Sequence, residues 1–195
     1  MSAAAVSRPA SDTLRAFFAL ALGAEQREAL TAFVAGLRGE PWADRVRWVA
    51  PASLHLTLRF LGDVPRDSLK LLAERMREVA RGCEPFEIAL PSAGFFPSPR
   101  RPHVVAVVVE EIAPLVELAR RIERGVVAHG LPGDGRKLRA HITLGRIRGR
   151  PGATPTKLPP LVVEPLAVRE FELYRSTLTP SGPVYEVIDR FDLSG

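Results

Sequence analysis

Apolar and polar residues alternate from Leu54 to Phe60. Residues i and i+2 of a strand share a face. The alternation therefore puts Leu54, Leu56, Leu58 and Phe60 on one side of a strand, and His55, Thr57 and Arg59 on the other. The same rule applied to residues 138–147 places Ile142 and Leu144 on one face and Arg139, His141 and Thr143 on the other. Around these two strands the pattern predicts a strand over 14–21, then a helix over 24–37 with Leu30, Phe33, Val34 and Leu37 at helical spacing. A short strand over 46–49 precedes the first histidine strand at 53–61. Gly62 and Pro65 turn the chain into a second helix striped by Leu69, Leu72, Met76 and Val79. Residues 86–90 alternate as a strand and 91–102 read as a Pro-, Gly- and Ser-dense loop. The β-branched run 104–109 reads as a strand buried on both sides. A third helix opens at Pro114, carries Leu115, Leu118, Ile122 and Val126, and ends at Gly130. A Gly-rich loop (131–137) leads to the second histidine strand, and 149–160 form an irregular connector. Strands over 166–178 and 183–191, split by a turn at 180–183, close the chain.

Both histidine strands read His-apolar-Thr-Leu, at His55-Leu56-Thr57-Leu58 and His141-Ile142-Thr143-Leu144. Strand-helix units built around two copies of one motif predict an internal duplication. The expected fold is α+β, with two lobes related by a pseudo-twofold axis. Residues 1–12 are expected to be a loose tail, and 13–195 a single bilobal domain.

Composition narrows the setting. Among 27 basic residues only Lys70, Lys137 and Lys157 are lysines, and the net charge is +5. An arginine-rich surface suits an anionic partner, since the planar guanidinium matches phosphate oxygens. Codon usage accounts equally well for the bias, because Ala, Gly and Pro are abundant too. Cys83 is the only cysteine, so no internal disulfide can form, which fits a reducing compartment. The apolar run Ala16 to Leu22 follows Arg8 and Arg15 as a signal peptide would, but Asp12 interrupts the basic lead. A buried strand and a cytoplasmic protein are expected, with no membrane span.

Two imidazoles facing one cavity can serve as general base and general acid near neutral pH. Flanking hydroxyls can donate to anionic oxygens, and an arginine can neutralise developing charge. That set fits metal-free hydrolysis or transfer at a phosphodiester. A zinc site needs three or four ligands, and neither strand adds a Cys, Asp or Glu on the histidine face. His103 and His129 lack a partner motif and read as structural. Strict alternation puts Arg59 and Arg139 on the histidine faces. Arg146 joins them only if Gly145 marks a bulge or the strand end. The pattern does not choose among the three.

The paired motif, Leu14 to Leu20, Trp48-Val49, Phe60-Leu61-Gly62, Leu173-Tyr174-Arg175-Ser176 and Gly182-Pro183-Val184-Tyr185 together resemble the two-histidine phosphoesterase superfamily. Within it the chain is most similar to the RNA 2',3'-cyclic phosphodiesterases, also called 2'-5' RNA ligases. The resemblance implies mainly antiparallel sheets lining a central cleft, with helices outside. It implies hydrolysis of RNA 2',3'-cyclic phosphate ends to 2'-phosphates, with His55 as proton donor and His141 as acceptor. Thr57 and Thr143 would hold phosphate oxygens. Arg146 matches the arginine that closes the family's second motif. Arg59 stands where the family often has Lys, and Ala140 where many members have Pro. The other readings are 2'-5' ligation of tRNA halves and a catalytically inactive RNA-binding module. RNA ends, tRNA fragments among them, are the implied partner, with no cofactor and a monomeric chain. A terminal base could stack on Phe60, Phe95 or Phe96; core packing is the competing role for each, and alternation favours it for Phe60.

Overall fold

A computed structural model describes residues 12–99, 101–149, 157–180 and 182–195. Its elements are β1 (Thr13–Ala21), α1 (Ala24–Leu37), β2 (Val46–Trp48), β3 (His55–Pro65), α2 (Arg66–Arg81), β4 (Phe86–Ile88) and β5 (Ser92–Phe96). They continue as β6 (Val104–Val108), α3 (Ala113–Ala128), β7 (His141–Ile147), β8 (Leu166–Val168), β9 (Glu170–Thr179) and β10 (Gly182–Asp192). The fold is α+β, and every strand pairing is antiparallel.

One eight-stranded sheet runs β10-β9-β1-β3-β7-β6-β5, with β2 added along β7. Its middle is a single ladder rung, Leu56 opposite Ile142, where the two histidine strands meet. Beyond that rung β3 continues against β1, while β7 continues against β6 and β2. The sheet therefore reads as two half-sheets joined at their histidine strands. A separate ribbon pairs β4 with β8.

The helical stripes go where the spacing predicts. Leu69, Leu72 and Met76 on α2, and Leu115, Leu118, Ile122 and Val126 on α3, are buried in one core. A side chain at Gly125 of α3 would overlap Met76, so glycine permits the close approach of α2 and α3. α2 packs on β3, β9 and β10, and α3 packs on β3. Phe18, Phe171 and Phe191 interlock beneath the first half-sheet, with ring centroids 4.8–6.0 Å apart.

Several boundaries differ from the pattern's expectation. Ser92–Phe96, read as loop, is β5, because the Val104–Val108 strand offers it a complete ladder. β3 does not stop at Gly62. That residue takes φ 77° opposite Ala16 and the strand continues to Pro65. The strand expected over 166–178 breaks at Arg169, and its two parts join different sheets. The second histidine strand begins at His141 and not at 138. The expected tail and the middle of the 149–160 connector lie outside the described residues, apart from Asp12, which pairs with Arg66 at 2.9 Å. Among the described residues no helix is long and apolar enough to cross a membrane.

Candidate active site

The rung between Leu56 and Ile142 sets the site's geometry. Both side chains are fully buried on the helix side. Their neighbours His55, Thr57, His141 and Thr143 are half-buried on the opposite face. Two imidazoles and two hydroxyls thus come together where the half-sheets meet.

Each histidine strand has a bulge at the same place. On β3, Ala19 faces Thr57 and Phe18 faces Arg59, so Leu58 is the extra residue. On β7, Ala106 faces Thr143 and Val105 faces Gly145, so Leu144 is the extra residue. One extra residue reverses the alternation beyond it. Phe60, opposite Phe17, therefore joins the His55 face, and Arg59, opposite Phe18, passes to the helix side. By the same reversal Arg146, opposite Val104, joins the His141 face, and Gly145 passes to the helix side.

The bulges separate the three arginines that alternation left together. Arg59, expected on the histidine face, is an ion-pair partner of Glu123 on α3 and donates to the Pro132 carbonyl at 2.6 Å. It ties the loop before β7 to β3, away from the imidazoles. Arg146 is exposed on the site face, and its charge bears on both His55 and Tyr185. Arg139 lies over the Phe96 ring at 4.3 Å, and Phe96 stacks on His141 at 4.5 Å with a 16° interplanar angle. Arg139 thus reaches His141 through an intervening ring. On the Gly145 side, a Cβ would overlap Val46 and Trp48 of β2, so glycine is what allows β2 to cover β7 there.

The histidines share a tether. His55 Nδ1–H donates to the Ser53 carbonyl at 2.8 Å, and His141 Nδ1–H donates to the Arg139 carbonyl at 2.7 Å. A carbonyl can only accept, so Nδ1 carries the proton in both rings and Nε2 is the atom free to exchange one. At His55 the Thr57 hydroxyl, 3.1 Å away, donates to the neutral Nε2.

Their surroundings differ. Phe17 lies 4.9 Å from His55, Tyr185 stands edge-on at 5.1 Å, and Tyr174 completes the wall at 6.1 Å. Burial in this aromatic box lowers the His55 pKa below its ordinary value. The Ser53 bond opposes that, and the charges of Arg146 and His141 add to the lowering. Tyr174 donates its hydroxyl to the buried Glu172, which also takes Arg190 at 2.8 Å. Burial and Glu172 raise the Tyr174 phenol above its usual range.

Sequence reasoning missed Phe17, Tyr174 and Tyr185 as walls of His55. Tyr174 and Tyr185 sit inside motifs that matched the family, but nothing in the pattern gave them a place. Of the three aromatics weighed for stacking, Phe95 is buried against Trp42, whereas Phe60 and Phe96 reach the site face. His129 bonds Ser68 of α2 at 2.9 Å, and His103 is exposed just before β6; neither belongs to the cluster. Cys83 is buried, and that burial pushes its thiol pKa up. Among the described residues no three His, Cys, Asp or Glu side chains converge on a point that could hold a metal ion.

Comparison with known proteins gives a consistent picture. A family model described as LigT like Phosphoesterase matches residues 20–106 and again 107–185, one histidine strand in each segment. A protein of Methanothermobacter thermautotrophicus named RNA 2',3'-cyclic phosphodiesterase is 36% identical over 76% of this chain and 83% of its own. One of Archaeoglobus fulgidus with the same name is 32% identical over 92% of this chain and 100% of its own. Among solved structures, apo LigT of E. coli superposes with a TM-score of 0.79 at 29% identity, covering 95% of this chain and 100% of that one. A Thermus thermophilus protein gives 0.78 at 34% identity, covering 93% and 99%. With one model laid over both halves, each carrying its own histidine strand, the chain belongs to the LigT-like phosphoesterase family.

Proposed function

We propose that this phosphoesterase opens the 2',3'-cyclic phosphate at an RNA end and leaves a 2'-phosphate. The observation that supports it best is the meeting of two His-x-Thr strands at one rung, with Nε2 of each ring available for proton exchange. The names of the relatives agree with it, and LigT of E. coli has been solved with phosphate and with 3'-AMP.

In this reading a water molecule lies between the phosphorus and His141. His141 Nε2 takes a proton from the water as its oxygen bonds to phosphorus. The P–O3' bond breaks, and His55 Nε2–H gives its proton to the departing O3'. Thr57, Thr143 and Arg146 hold the non-bridging oxygens as negative charge builds on them. The Arg139 carbonyl holds His141 Nδ1–H, its guanidinium reaches that ring only through Phe96, and Arg59 lies outside the site.

The acid role of His55 needs a proton that the free protein disfavours. The cyclic phosphodiester brings one negative charge, which opposes Arg146 and favours imidazolium. Protonation also ends the bond in which Thr57 donates to Nε2, and frees that hydroxyl for a phosphate oxygen. Substrate binding thus loads the acid and releases a donor together.

The physiological substrate is inferred to be a cleaved RNA end such as a tRNA fragment, in the cytoplasm, where a lone buried cysteine stays reduced. The test is hydrolysis of a nucleoside 2',3'-cyclic phosphate in the presence of chelator, with the product isomer identified. A 2'-phosphate product supports the reading, and no turnover refutes it. A ribose 5'-hydroxyl in place of water would give a 2'-5' junction, so incubation with cleaved tRNA ends tests ligation at the same site.

A further inference from the structure

We infer that Arg15 and Phe60 form a subsite for the phosphodiester on the 5' side of the terminal nucleotide, so that the enzyme recognises an RNA chain and not only its cyclic end. The inference rests on the cyclic phosphodiesterase reading and goes beyond it.

Arg15 lies two residues before Phe17 on β1, so both point to the histidine face. The β3 bulge brings Phe60 to that same face, opposite Phe17. The Arg15 guanidinium carbon sits 4.6 Å above the Phe60 ring centroid. Phe60 in turn stacks on Phe17 at 6.2 Å and 15°. The result is a layered platform of cation, exposed ring and buried ring, starting at the wall of His55.

What marks Arg15 is its place: it lies on the histidine face, over an aromatic ring and without an acid. Arg59, Arg77 and Arg121 each have a carboxylate within salt-bridge distance: Glu123, Asp189 and Glu117. Among the described residues Arg15 forms no ion pair. Its cross-strand neighbour Asp63 is exposed and does not bond it. A half-buried guanidinium resting on an aromatic ring and free of an ion pair keeps N–H donors available to an anion. The charges of both Arg15 and Arg146 bear on Tyr185, so both cations lie near the aromatic wall of His55. A cyclic phosphate held by Arg146 and the threonines would place its ribose and base over this wall. The next phosphodiester would then fall toward Arg15.

The test compares adenosine 2',3'-cyclic phosphate, the same compound carrying a 5'-phosphate, and the dinucleotide ending in that cyclic nucleotide. A charge-assisted contact of about 1.5 kcal/mol or more corresponds to at least roughly tenfold. Wild-type kcat/KM is expected to be about tenfold higher for the two substrates with a 5'-phosphoryl group. Arg15→Gln should bring that ratio close to one, and Arg15→Lys should retain part of it. In the wild type, which needs no variant to fold, the ratio should shrink as salt rises. A wild-type ratio of one, or a ratio that Arg15→Gln leaves intact, overturns the subsite. Turnover of none of the three by wild type overturns the cyclic phosphodiesterase reading, and the subsite with it.

Discussion

His55-Leu56-Thr57-Leu58-Arg59-Phe60 and His141-Ile142-Thr143-Leu144-Gly145-Arg146 agree in chemistry over four positions and in backbone path over six. Each has a tethered imidazole, a hydroxyl and a bulge at its second apolar residue. They part company immediately after the bulge. In the first strand the residue returned to the site is an aromatic ring, and the one sent to the helices is an arginine. In the second the returned residue is an arginine, and the other is a glycine that makes room for β2. The aromatic neighbours diverge too. Tyr174 on β9 and Phe96 on β5 hold matching places opposite Phe17 and Val104. The large Phe17 fills the box around His55, whereas beside the smaller Val104 the Phe96 ring stacks directly on His141. A shared frame thus leaves Nε2 of both rings available, and the residue returned to the site just beyond each bulge differs: an aromatic ring in the first strand, an arginine in the second.

The comparison can be broken most severely at its shared atoms. His55→Ala and His141→Ala should each lower kcat on a 2',3'-cyclic nucleotide by about 10²–10⁴-fold. Near-normal turnover in either would show that the two strands are not equivalent participants. Next comes the arginine pair. Arg146→Ala should lower kcat/KM by about tenfold to a hundredfold, the size of a lost charge-assisted contact. Arg59→Ala should instead lower the melting temperature by breaking the Glu123 and Pro132 contacts. Equal kinetic losses in both would mean that the bulges do not sort them.

Gly145→Ala asks whether room for β2 is the reason for glycine. Crowding against Val46 and Trp48 should cost about 1–3 kcal/mol in unfolding free energy. An unchanged denaturant midpoint would show that β2 yields freely.

The gentlest probe is pH. The acid role requires protonated His55, whose pKa in the free protein lies below its ordinary value of about 6.5. kcat/KM should therefore fall as pH rises through a value below 6.5. The bound phosphate's negative charge opposes Arg146, so the matching limb of kcat should lie at higher pH. Removing Arg146 takes away a positive neighbour and should move the kcat/KM limb upward. Coincident limbs, or a limb indifferent to Arg146, would leave His55 without the acid role.

Much of this was legible in the residues. Helical stripes such as Leu115, Leu118, Ile122 and Val126 mark their own burial, and the repeated His-x-Thr-Leu exposes the duplication. The bulges are another matter. Leu58 and Leu144 are apolar residues in apolar positions, so an unbroken alternation conceals the slip and sends Arg59 and Phe60 to the wrong faces. β5 stayed hidden because Ser92, Gly94 and Pro97 have turn chemistry, and only the Val104–Val108 ladder makes a strand of that segment. Tyr174 and Tyr185 were visible as motif residues, but their approach to His55 depends on strands far apart in sequence being brought together.

Those far-apart strands bear on when the protein becomes competent during synthesis. β1 is made before every other described strand, yet its outer neighbour is β9, about 150 residues later (Leu173 pairs with Phe18). Until β9 and β10 are made, the nascent first lobe has an open edge, and His55 lacks the two tyrosines that wall it. Contacts between residues so distant in sequence are slow to close. The second lobe can be complete on its own side while the first still waits. The desolvation that tunes His55 therefore comes with strands translated after both histidines, and a chain truncated before Tyr174 would carry both histidines without the setting that distinguishes them.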